Sequence, residues 1–144
     1  MKKVNEMKLT FESKSVNESF SRVAVSSFAS SLDPTVEELS DIKTAVSEAV
    51  TNAIVHGYHE KMGKIYITAV ITDKNIIKIR IRDNGVGIED IEKAREPLFT
   101  TLGGERAGLG FAVMESFMDK VKVRSAPGRG TTVTLEKLIS GKEG

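Results

Sequence analysis

The stretch AVSEAVTNAIVHG, residues 45–57, carries a carboxylate, Glu48, and an amide, Asn52, four positions apart. Between Thr44 and Val55 no other ionisable side chain occurs, although a helix with a wet face normally carries several. Residues four apart on a helix stand one above the other, and His56 continues the same ridge. The apolar stripe of this helix centres on Leu39, Val46, Ala49 and Ala53, and the small or apolar Ala45 and Val55 flank the polar ridge. The ridge therefore borders a cleft. A carboxylate in such a place suits a general base, and an amide oxygen suits a hard cation. Taken alone, the pair also fits a helix that needed two polar residues for solubility.

Three further signals follow in the chain. IKIRIRDNGVGI ends a strand in Asp83, with Gly85 and Gly87 just beyond. Paired glycines let the backbone turn sharply and approach a flat ligand, and a carboxylate at a strand end can accept a hydrogen bond from an exocyclic amine such as that of adenine. Asn-Gly is also a strong hairpin signal, but the acidic, helix-prone EDIEKARE that follows supplies no second strand. In ERAGLGF, Gly108 and Gly110 precede an apolar helix, whose free amides and dipole would form an anion site. In GRGTTV, Gly130 is followed by Thr131 and Thr132, a pattern that, taken singly, a plain hairpin turn with strand-favouring threonines explains better than a ligand site does.

The elements that must position these residues read clearly. MKLTFES (7–13) alternates as a strand, and residues 15–32 place Val16, Phe20, Val23, Ala24, Phe28 and Leu32 at helical spacing, with Arg22 exposed away from that stripe. Asp33-Pro34 breaks this helix, and Thr35 or Asp33 caps the next, which stops at Gly57. KIYITAVIT and IIKIRIR, joined by DKN, form an antiparallel pair. An irregular segment from about Glu89 to Ala107 precedes a helix from Gly108, and a C-terminal hairpin closes the pattern, with 139–144 a frayed tail. The order β α α β β, irregular, α β β predicts an α/β (α+β) sandwich, a mostly antiparallel sheet covered on one face by helices.

Composition narrows the function classes. At 144 residues, 28% charged and 40% hydrophobic, the chain fits one soluble domain. Lys and Arg number 21 against 20 Asp and Glu, a net charge of +1, which gives no reason to expect direct nucleic-acid or membrane binding. The absence of Cys rules out disulfides and thiolate chemistry. No apolar run reaches the ~20 residues that span a bilayer, and no signal-peptide core is seen. A cytoplasmic location is expected.

Together, Glu48 and Asn52, Asp83-x-Gly85-x-Gly87, Gly108-x-Gly110 and Gly130-Thr131 resemble the ATPase/kinase superfamily that groups gyrase, the Hsp90 chaperone, histidine kinases and MutL. The resemblance covers about residues 36–135. It implies a Bergerat-type ATP-binding fold: an N-terminal strand and helix (1–34), a nucleotide-binding core (35–138) and a mobile lid (89–107). It further implies that Asp83 reads adenine with help from the Thr131 hydroxyl, that Asn52 holds Mg²⁺, and that Gly85, Gly87, Thr100, Thr101, Gly108, Leu109 and Gly110 contact ATP or ADP. Within the superfamily, VSEAVTNAIVHGY, EPLFTT and GFAVMESFMDKVKV are very similar to the sporulation anti-sigma-F factors, which are serine-protein kinases. That similarity implies a homodimer that binds a sigma factor and phosphorylates an anti-anti-sigma protein on serine, with Glu48 as base, Arg106 reaching the γ-phosphate and Arg22 on a partner-docking helix. Three other readings stay open: a nucleotide-gated sigma-binding module with little transfer activity, a general-stress anti-sigma kinase, and a detached histidine-kinase ATP domain. The missing phosphoacceptor helix argues against the last.

Overall fold

The computed structural model describes residues 2–59, 61–88 and 104–141, with the side chains of 104–108 outside that description. The chain runs β1 (Lys3–Glu12), α1 (Val16–Ala29), a 3-10 turn (Ser30–Leu32), α2 (Val36–Asn52), a π-helical turn (Ala53–Gly57), β2 (Lys64–Thr72), β3 (Ile76–Asp83), α3 (Gly104–Phe117), β4 (Lys120–Ser125) and β5 (Thr131–Leu138). The strands form one sheet in the order β1-β2-β3-β5-β4, and every neighbouring pair is antiparallel. The α+β sandwich expected from the pattern is what the chain adopts.

Alternation of side chains decides which face of the sheet is covered. Ile65, Ile67, Ala69 and Ile71 of β2, Ile77, Ile79 and Ile81 of β3, and Val133 and Leu135 of β5 are buried in one core with Ile42, Val46, Ala49 and Val50 of α2 and Phe111 and Met114 of α3. The even-numbered residues of β2 and β3 point the other way.

Helix α2 starts as its sequence dictates. The Thr35 hydroxyl accepts the Glu38 amide at 3.0 Å, and the Glu38 carboxylate accepts the Thr35 amide at 2.9 Å, a reciprocal cap. Of the two capping candidates Thr35 is the cap, while Asp33, two residues earlier, takes a left-handed conformation at the end of the 3-10 turn.

Three expectations are corrected. Helix α1 buries its apolar stripe only in part: Phe28 and Leu32 pack against the core, but Val16, Phe20 and Val23 are 73%, 51% and 56% exposed. It turns Ser21, Val25, Ser26 and Ala29 inward instead. The serines tolerate this because their hydroxyls donate to carbonyls three residues back, Ser21 to Glu18 at 2.7 Å and Ser26 to Val23 at 3.0 Å. The tail is not frayed as far as Gly141. Ile139 is buried, its amide donates to the Asn75 carbonyl at 2.9 Å, and the amides of Ser140 and Gly141 donate to Glu38 at 2.7 and 3.1 Å. Finally, α3 begins at Gly104, not Gly108. Most of the expected lid, 89–103, lies outside the described residues, but 104–107 form the first turn of this helix. Each interior glycine costs a helix about 1 kcal/mol, and burial of Phe111 and Met114 beneath the same helix offsets it.

Candidate active site

Asn52 ends α2 with both side-chain polar atoms buried, and neither has a hydrogen-bond partner among the described residues. A buried amide left unpaired costs about 1–3 kcal/mol, so its retention points to a ligand. Glu48, one turn back, is half-buried. Gly110 of α3 closes against both: a β-carbon built there would lie 3.0 Å from Asn52 Nδ2 and 3.2 Å from Glu48 Oε2. The missing side chain thus leaves the carboxylate and the amide facing one small space.

Beneath them a pocket opens between α2 and the sheet. Ala49, Ala53, Ile81, Ile88, Phe111 and Val133 give it apolar walls, and Asn52, His56, Asp83 and Thr131 give it polar points. Flat apolar walls with one buried carboxylate suit an aromatic base bearing an amine. Asp83, the last residue of β3, is buried. Burial pushes its carboxyl above the usual carboxylate range, and the backbone amides of Gly85 (2.9 Å) and Thr131 pull back only part of that shift.

The loop after Asp83 is built around its glycines. Gly85 packs on the preceding π turn so tightly that a β-carbon would lie 2.1 Å from the Gly57 carbonyl oxygen. Gly87 has φ +78°, which favours glycine, and abuts the Ala126 carbonyl. Val86 donates its amide to the Gly57 carbonyl at 2.9 Å, which fastens the loop to the end of α2.

Two residues that the sequence did not single out complete the frame. Gly57, read only as a helix stop, leaves room for Asp83: a β-carbon there would meet the carboxylate at 2.9 Å. Ser125 accepts the Ile88 amide at 2.7 Å, donates to the Gly130 carbonyl at 2.8 Å and touches the Thr131 hydroxyl at 2.8 Å. With the Ser125 proton spent on Gly130, the proton in the last contact is that of Thr131. The Thr131 oxygen therefore keeps acceptor capacity at the pocket wall. No spacing rule links Ser125 to Asp83, because they are related only through Thr131, which pairs with Asp83 across β3–β5 and with Ser125 across β4–β5.

Of the sequence-based candidates, Asn52, Asp83, Gly87 and Thr131 line one pocket. Glu48 and Gly110 adjoin it through Asn52, and Gly85 supports the loop from behind. Leu109 is 51% exposed. Gly108 and Gly110 lie inside α3, so the expectation that they begin a helix as an anion site is not met: the free first-turn amides belong to 104–107. Thr100 and Thr101 fall outside the described residues, as does the Arg106 side chain. Arg22 sits on α1, away from the pocket, paired with Glu18 at 3.4 Å.

Comparison with known proteins agrees with this geometry. The family model described as histidine kinase-like ATPase domain matches residues 12–137, so fold and pocket are those of a nucleotide-binding ATPase module. The anti-sigma F factor of Thermoanaerobacter sp. (strain X514) is 59% identical over 140 residues, 96% of this chain and 97% of that protein. That of Bacillus subtilis (strain 168) is 55% identical over 138 residues, 94% of each. The chain belongs to the anti-sigma F factor family, within the histidine kinase-like ATPases. A crystal structure of the RsbU and RsbW domains of a Mycobacterium tuberculosis protein superposes with TM-score 0.68 at 18% identity, over 94% of this chain and 32% of that one, which shows a shared fold. No helix among the described residues is long and apolar enough to cross a membrane.

Proposed function

We propose that this protein is an anti-sigma factor and a protein serine kinase: it binds a sigma factor, sigma-F by its family, and phosphorylates an anti-anti-sigma protein on serine at the expense of ATP, in control of sporulation transcription. The observation that carries the reading is the convergence of Glu48 and Asn52 on Gly110, directly above the pocket that contains Asp83. The adenine amine donates to Asp83, and the apolar walls hold the ring. The phosphates then extend toward Asn52 and Glu48.

The buried, unpartnered Asn52 amide fits Mg²⁺, with its oxygen as the protein ligand. Among the described residues no group of three His, Cys, Asp or Glu side chains forms a metal cage, and a cation shared with phosphate needs none. Mg²⁺, when bound, neutralises phosphate charge. Glu48 accepts the proton of the incoming serine hydroxyl as its oxygen bonds to the γ-phosphorus and the bond to ADP breaks. Arg106, from the lid-side end of α3, meets the γ-phosphate charge, and Thr100 and Thr101 are further nucleotide-binding residues. Arg22 and the exposed apolar side chains of α1 form the docking surface for sigma factor and substrate. Strand β1, at one edge of the sheet, is the seam of a homodimer. Sedimentation that finds monomer alone removes the dimer from this proposal.

The test is transfer of label from γ-labelled ATP, with Mg²⁺, to the anti-anti-sigma protein, with Glu48→Gln alongside. Positioned proton transfer contributes ~10²–10⁴-fold, so the variant is expected to bind ATP normally and to lose transfer by that order. ATP binding with no transfer even in the unaltered protein would instead define a nucleotide-gated sigma clamp.

A further inference from the structure

The sheet face turned away from the helices carries no covering element among the described residues, and its side chains are ordered in rows by the strand register. One row reads Lys8, Thr68, Arg80, Thr134, Lys122 across β1, β2, β3, β5 and β4. The next reads Thr10, Tyr66, Arg82, Thr132, Arg124. Cations on β3 and β4 in both rows, and on β1 in the first, thus alternate with hydroxyl-bearing residues on β2 and β5, and successive rows lie roughly 7 Å apart along the strands.

The acids near this face are already engaged. Glu136 takes Lys78 at 3.1 Å and Lys120 at 3.9 Å. Glu6 and Glu12 on the edge strand pair with Lys3 at 3.2 Å and Lys14 at 3.6 Å. Lys8, Arg80, Arg82, Lys122 and Arg124 are all exposed, and among the described residues none of the five is ion-paired. Arg82 stacks on the Tyr66 ring at 4.4 Å, which holds its guanidinium in place.

We propose that this face binds the phosphodiester backbone of a nucleic acid, without regard to base sequence. Lys, Arg and Thr are the side chains that donate to phosphate oxygens, and here they are interleaved at every second strand. The centre of the face is polar and charged. A protein partner would need an apolar centre depleted of Lys, whereas nucleic-acid interfaces are polar and strongly positive. A second copy of this chain would set like charges against each other. The whole-chain balance of +1 conceals the patch, because the acids on this face, Glu6, Glu12 and Glu136, are paired with other lysines and leave these five cations uncompensated.

The test is fluorescence anisotropy with a labelled mixed-sequence 20-nucleotide single strand and the corresponding duplex, across a salt series. Binding of either is expected, with log affinity falling linearly against log salt and a slope of about −3.5 for the single strand and about −4.5 for the duplex, as five neutralised phosphates imply. Arg80→Glu with Lys122→Glu should weaken it at least 100-fold, and Arg80→Gln with Lys122→Gln should flatten the slope by about 1.5–2 units. Both pairs face away from the ATP pocket, so unaltered ATP binding certifies a folded protein. Three results overturn the proposal: no binding at low salt, binding that ignores both variant pairs, or equal displacement by poly-glutamate or by anionic phospholipid vesicles.

Discussion

Gly110 of α3 stands against Asn52 of α2 so closely that a β-carbon would come within 3.0 Å of the amide nitrogen and 3.2 Å of its oxygen. Glycine inside a helix costs about 0.5–1 kcal/mol relative to alanine, so the position gives up helix stability to keep Glu48 and Asn52 in place. Gly110→Ala should raise or leave unchanged the melting temperature, while displacement of the two side chains by a few tenths of an ångström lowers phosphoryl transfer on the order of tenfold. Calorimetry and single-turnover transfer check the two halves. Transfer at the original rate would mean that the space beside Gly110 is not used.

Asp83 is a buried carboxylate whose folded pKa is raised, with burial outweighing the amides of Gly85 and Thr131. The sign follows: the folded protein binds the proton more tightly than the unfolded chain, so ionising Asp83 costs stability as pH rises through the raised value. Asp83→Asn keeps an acceptor for the two amides and removes that cost. The variant should gain stability relative to the parent at neutral pH, and the gain should vanish in acid. Its affinity for ATP should fall at least tenfold, since hydrogen bonds to a charged group contribute about 1.5–3 kcal/mol. Melting curves at several pH values and a nucleotide titration read both. Parallel melting profiles for the two proteins would count against the raised pKa.

The difference between Asp83 and Ser125 shows what sequence could and could not disclose. Asp83 was legible because a strand period ended in an acid followed by two glycines, all within a few residues. Ser125 joins Ile88, Gly130 and Thr131, three positions brought together only when β5 pairs with β3 and β4. The capping of α2 was legible because Thr35 and Glu38 act over three residues. The buried face of α1 is hidden from periodicity, which counts apolar residues, because Ser21 and Ser26 lie on it and satisfy their hydroxyls internally. The start of α3 is not legible because Gly104 and Gly108 favour loop, and what stabilises the helix is burial further along it, at Phe111 and Met114.

Glu38 joins two ends of the fold. It caps α2 through Thr35 and receives the amides of Ser140 and Gly141. Its burial alone would raise the pKa, but these three backbone donors and the Thr35 hydroxyl outweigh it, and the net shift is downward. A lowered folded pKa means that the stabilisation is present above the unfolded value and lost as pH falls through the folded one. Glu38→Ala should therefore cost about 1 kcal/mol near neutrality, as for other lost helix caps, and less in acid. It should also free the tail, seen as faster amide exchange at Ser140 and Gly141. Protection of those amides that survives the substitution would show that Ile139 alone docks the tail.

Arg22 was expected to be a freely exposed cation, but it is only half-exposed, and Glu18 sets its position. The carboxylate oxygen that meets Arg22 at 3.4 Å also accepts the Ser47 hydroxyl at 2.5 Å, so α1 presents the guanidinium from a fixed base on α2. An exposed pair of this kind adds little to folding, about 0–1 kcal/mol, whereas a pre-positioned arginine at an interface can contribute more than 1 kcal/mol to binding. Arg22→Ala should leave the melting temperature and ATP affinity in place and weaken sigma-factor or anti-anti-sigma binding on the order of tenfold. Glu18→Ala should reproduce part of that loss while Arg22 remains present, because it removes the group that orients it. Partner affinities unchanged in both variants would move the docking surface off this face of α1, to the exposed stripe of Val16, Phe20 and Val23.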